Sequence, residues 1–112
     1  MAALERTAKG LEAVRLSLRN APIVVTSGYR SPALNAAVGG QPNSQHMAGE
    51  AVDFICPRFG TPAQVAAALI KRGFVFDQLI LEFGRWVHIS FAAKPRGTAL
   101  LIDSSGTRPL VA

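Results

Sequence analysis

The sequence predicts an α+β fold in which a small, mainly antiparallel sheet carries packed helices. Three observations predict it. Hydrophobic periodicity runs in the order helix, strand, helix, strand, helix, then three strands. Two of the late strands are separated by only "FGR", as in a β-hairpin. The chain has 112 residues, 49% hydrophobic and 17% charged, which is enough for one core and one domain over residues 1–112.

The elements follow in order. Leu4, Ala8, Leu11, Val14 and Leu18 recur at helical spacing, with Glu5, Arg6, Glu12, Arg15 and Arg19 opposite them. This predicts an amphipathic helix of about four turns, ended by Asn20 and Pro22. "IVVTS" (23–27) is a β-branched strand. "SPALNAAV" offers Ser31 as N-cap and Pro32 at the first helical position, and Gly39-Gly40 closes that short helix. "QPNSQHMAGE" (41–50) reads as a polar loop and "AVDFI" (51–55) as the second strand. "TPAQVAAALIKRG" (61–73) is the clearest helix: Thr61 caps it, Gln64 completes a capping box, and Gly73 ends it. "DQLILE" (77–82) and "WVHISF" (86–91) form the hairpin. "TALLID" (98–103) is expected to be the last strand, with loose residues after it.

Charge and cysteine content narrow the function. Lys and Arg outnumber Asp and Glu by 12 to 7, but the basic residues are scattered. That pattern favours loose attraction to an anionic polymer, whether cell wall, membrane surface or nucleic acid, or an inert basic surface, over a dedicated nucleic-acid groove. One cysteine, Cys56, excludes an internal disulfide and a cysteine-based zinc cluster. No apolar run reaches the roughly 20 residues of a membrane span. The N-terminal residues lack the apolar core of a signal peptide.

The chain has two histidines. His46 lies in "SQHMAGEAVDF", where Asp53 follows inside an apolar strand. A carboxylate there is costly unless its charge is compensated. His88 lies in "WVHIS". Trp86, His88 and Ser90 share one strand face; Val87, Ile89 and Phe91 share the other and should face the core. His46, Asp53 and His88 are two imidazoles and a carboxylate, enough for a catalytic zinc site with three protein ligands. The same residues also fit a loop histidine, an aspartate paired with an arginine, and a histidine hydrogen-bonded in the sheet.

"SGYRSPALNAAVGG…SQHMAGEAVDF" followed by "WVHIS" resembles the zinc D-Ala-D-Ala metallopeptidases. It is most similar to a short phage- and prophage-encoded branch related to the catalytic domain of the zinc D-Ala-D-Ala carboxypeptidases. The resemblance covers about residues 20–92, with separated motifs in the family's order. It implies the Hedgehog/D,D-peptidase fold. It also implies one zinc ion held by His46, Asp53 and His88, with Arg30 gripping a substrate carboxylate and Ser44 near the substrate. Gly28, Gly39, Gly40 and Gly49 read as backbone devices, and Tyr29 and Trp86 as packing or cleft walls.

The sequence departs from the family at one point. Many members place an acid three residues before the last histidine, where this chain has Arg85, which cannot act as a base. The nearest acid is Glu82. The hairpin turns it back toward the face of His88, since cross-strand neighbours lie about 5 Å apart, so Glu82 is the expected general base, with Asp77 and Glu50 in reserve. The expected activity is zinc-dependent hydrolysis of peptidoglycan stem peptides, as a carboxypeptidase or an endolysin-type endopeptidase. The alternative is a non-catalytic, zinc-containing module that binds cell wall or a partner. The expected state is a monomer made in the cytoplasm without a signal peptide and acting on the wall after phage-type release.

Overall fold

In the computed structural model, the residues described are 2–27 and 51–111. They comprise α1 (Ala2–Ser17), β1 (Val24–Ser27), β2 (Ala51–Ile55), α2 (Pro62–Lys71), β3 (Gln78–Glu82), β4 (Trp86–Ser90), β5 (Thr98–Asp103) and β6 (Gly106–Pro109). The expected helix at "SPALNAAV" and the loop 41–50 lie outside them. The fold is α+β, and the strands form one sheet in the order β1-β2-β4-β3-β5-β6. Every neighbouring pair is antiparallel except β3 and β5, which run parallel.

Helix α1 buries Thr7, Val14 and Leu18, while Leu4 is 40% exposed and Ala8 is exposed. The expected stripe therefore holds from Leu11 onward and shifts by one residue before it. Counting back from Leu18 in steps of four and three reaches Thr7, not Ala8. Gly10 lets the helix come close to the sheet. A Cβ built there would lie 2.5 Å from the ring of Phe91. The helix ends where Arg19 and Asn20 take φ of 58° and 63°.

Helix α2 has the predicted capping box. Gln64 N donates to Thr61 Oγ1 at 3.2 Å, and Thr61 N donates to Gln64 Oε1 at 2.8 Å. Its buried residues, Val65, Ala66 and Leu69, belong to one core cluster with Val52, Phe54, Leu79, Val87 and Ile89 from a single face of the sheet. The apolar face of "WVHIS" thus lies in the core, as its alternation requires.

The C-terminal residues correct the sequence reading. They are not loose: β6 pairs with β5 through Leu100, Leu101, Ile102 and Asp103. Ser105 N donates to Asp103 Oδ1 at 2.8 Å, Gly106 adopts φ 116°, and Arg108 Nη2 donates to Asp103 Oδ2 at 2.5 Å. The turn signal, "DSSG", is present in the sequence.

Asp77 anchors the start of β3. It is 1% exposed and takes a bidentate grip from Arg96, Nε to Oδ1 and Nη2 to Oδ2, both at 2.8 Å. Arg96 N also donates to Oδ1 at 3.0 Å. Asp77 stands at the far end of β3 from Glu82, about 16 Å along the strand at roughly 3.3 Å per residue. It is a structural carboxylate and not a reserve base.

Candidate metal centre

Sheet register builds the site. Asp53 of β2 pairs with His88 of β4, and His88 pairs with Ile80 of β3. Paired residues project from the same face, so Asp53 and His88 stand side by side on the face opposite the helix-packed core. Glu82 lies two residues beyond Ile80, opposite Trp86. It therefore reaches His88 diagonally, within the range of a long side chain.

The side chains meet as the register demands. His88 Nδ1 lies 3.0 Å from Asp53 Oδ1 and 4.0 Å from Glu82 Oε1. One ligand atom from each of the three lies within 4.8 Å of the others. All are largely withdrawn from solvent, with side-chain exposures of 11%, 16% and 23% for His88, Asp53 and Glu82. The face is more polar than the core face, as the alternation predicted, but it is not open: His88 is 8% exposed and Ser90 0%.

This donor set fits zinc. One imidazole nitrogen with carboxylate oxygens is a zinc-type ligand combination, and atoms sharing a tetrahedral zinc stand about 3.3 Å apart for bonds of roughly 2.0–2.1 Å. The 3.0 Å spacing of the two proposed ligand atoms, His88 Nδ1 and Asp53 Oδ1, is close to that value, and Glu82 Oε1 stands further off at 4.0 Å. Two carboxylates beside one imidazole also form an excess of negative charge that a divalent cation offsets.

The structure brings together three of the residues singled out in the sequence: Asp53, His88 and Glu82. His46, Arg30, Ser44 and Glu50 lie outside the described residues. The hairpin turn fixes Glu82. Arg85 N donates to Glu82 O at 3.0 Å, and Phe83 and Gly84 between them take φ of 55° and 64°, the positive values of a tight hairpin turn. Phe83 N donates to Ile102 O at 2.8 Å, which fastens the turn to β5.

The sequence reads Trp86 as a packing residue or cleft wall and does not show one property: the indole Nε1 is buried and has no hydrogen-bond partner. The position of Trp86 beside His88 on one strand face was the available signal. Arg85, in the position where an acid was expected, borders a cavity of about 730 Å³ with Phe83, Leu81 and Leu101. Leu81 of the core face and Trp86 of the carboxylate face both line it, so the cavity lies at the hairpin end of the sheet and is not confined to one face.

Comparison with known proteins gives the family. A family model described as Peptidase M15 matches residues 1–90. Over 43 residues the chain is 46% identical to the zinc D-Ala-D-Ala carboxypeptidase of Streptomyces albus G. That stretch is 38% of this chain and 17% of the relative, so the match spans well under two thirds of the relative's length.

Proposed function

Since the chain belongs to the peptidase M15 family, we propose that it is a zinc-dependent peptidase that hydrolyses peptide bonds in peptidoglycan stem peptides, either as a D-Ala-D-Ala carboxypeptidase or as an endolysin-type endopeptidase. The observation that carries this reading is the meeting of Asp53, Glu82 and His88 on one sheet face. Asp53 and His88 hold the metal together with His46. Zinc, when bound, supplies Lewis acidity, polarising the scissile carbonyl and bringing the pKa of a water to about 7.

Glu82 accepts the proton of the attacking water and returns it to the leaving amine. Its partial burial beside His88 supports that role, because a base must stand within reach of the water without becoming a solvated surface group. Arg30 holds a substrate carboxylate by bidentate hydrogen bonds and sets the register of the peptide. Ser44 orders the substrate side of the loop. The net charge of +5 favours an anionic wall. No helix among the described residues is long and apolar enough to cross a membrane. The protein acts as a monomer on the wall after phage-type release.

Purified peptidoglycan tests the reading. Peptide release should stop in EDTA and return with zinc, and mass spectrometry of defined muropeptides should name the bond. Release that persists both in EDTA and in His88→Ala overturns it.

A further inference from the structure

Trp86 is the chain's one tryptophan. It is the direct partner of Glu82 across the β3–β4 ladder and lies two residues from His88. Trp86, Glu82 and His88 therefore project from the same face. The indole Nε1 is buried without an acceptor. A buried donor in that condition is costly, and such groups call for an explanation in the working molecule.

The ring is also held in place. Phe83 packs against it with centroids 6.2 Å apart and planes at 53°. Phe83 does so from φ 55°, a conformation that a bulky side chain adopts only under constraint. Phe83 itself is 51% exposed, so it covers the solvent side of the indole.

We propose that Trp86 is a positioning residue. Its indole N–H donates a hydrogen bond to one oxygen of the Glu82 carboxylate when the metal site is filled, which aims the other oxygen at the reacting water. This rests on the reading of Glu82 as general base. Three observations favour Glu82 as the acceptor. It is the carboxylate directly opposite, at a Cβ separation of about 5 Å. Its side chain already inclines toward His88, 4.0 Å away, and its rotatable bonds let the carboxylate span His88 and the indole. The burial of Nε1 excludes bulk solvent as the acceptor. A carboxylate held by one oxygen is also kept from turning onto the metal as a further ligand.

Because the chain has a single tryptophan, replacing tryptophan biosynthetically with benzothienylalanine removes this N–H alone and keeps the ring's shape. The expected result is a fall in kcat of roughly 10–100-fold, the scale of a misplaced catalytic group. KM and zinc affinity should stay within about threefold, as when only a transition-state interaction is lost. In a second measurement, the single indole ¹⁵N–¹H resonance is compared between wild type and Glu82→Ala, without and with zinc. It should lie downfield in the zinc-loaded wild type and lose that shift in Glu82→Ala. An indole resonance unchanged by Glu82→Ala, or full kcat in the benzothienyl protein, overturns the proposal. If wild type cleaves no muropeptide, the peptidase reading fails by itself, and the resonance still decides the hydrogen bond.

Discussion

His88 Nδ1 stands 3.0 Å from Asp53 Oδ1, and the two residues are direct partners across the β2–β4 ladder. The contact is therefore fixed by backbone register and does not depend on a loop adopting one conformation. It accounts for a carboxylate inside the apolar run "AVDFI": the imidazole gives it a polar partner, and the cation that both can hold offsets its charge. His88→Ala and Asp53→Ala should each weaken zinc binding by more than about 100-fold, since even partners outside the metal's own ligands are worth roughly 10–100-fold. Competition against a chromophoric chelator measures this, and affinity retained in both variants would remove them from the ligand set.

The Asp77–Arg96 pair should be unequal in its two halves. Arg96 is 58% exposed at its side chain, whereas Asp77 is 2% exposed. Arg96→Ala leaves a buried carboxylate without its counter-charge and should cost about 3–5 kcal/mol. Asp77→Ala returns an arginine to water and should cost less, about 1–3 kcal/mol for the lost hydrogen bonds. Urea unfolding of the two variants tests the order, and equal losses would contradict it.

Gly10→Ala should destabilise the protein although alanine is the better helix former by about 1 kcal/mol. The new methyl would meet Cε1 and Cζ of Phe91 at 2.5 Å, and Phe91 is itself buried. Overpacking of this kind costs about 1–3 kcal/mol. A rise in thermal midpoint would contradict the close approach of α1 to Phe91.

The β5–β6 turn has a pH signature. Hydrogen bonding to Arg108, then to the Ser105 N–H, lowers the Asp103 pKa below the ordinary aspartate value. A depressed folded-state value means that the pair's contribution is fully present above the unfolded pKa and is lost as pH falls through the folded one. NMR titration should find Asp103 ionising below the normal range in wild type and moving up toward it in Arg108→Ala, where only the Ser105 N–H still lowers it. An unchanged titration would show that Arg108 does not set it.

Legibility in the sequence followed the range of the interactions. The capping box at Thr61 and Gln64 and the hairpin turn at "FGR" are local, and short-range chemistry announces them. The face shared by Trp86, His88 and Ser90 follows from alternation alone. The parallel pairing of β3 with β5 was not readable, because it depends on how residues 91–97 cross. The grip of Arg96 on Asp77 was hidden for the same reason, since it joins positions that only the closed sheet brings together. Strand β6 is short and exposed along its whole length, so no apolar alternation marks it, and only the turn residues of "DSSG" point to it. Glu82 was legible as a base only once the hairpin was assumed, because its reach to His88 is a cross-strand diagonal and not a sequence spacing.

The most direct test of the account is Glu82→Gln, assayed for zinc affinity and for muropeptide hydrolysis on the same preparation. The account predicts zinc affinity within about tenfold of wild type and a kcat lower by roughly 10²–10⁴-fold, the contribution of a general base. Hydrolysis at the wild-type rate by the zinc-loaded variant would contradict it.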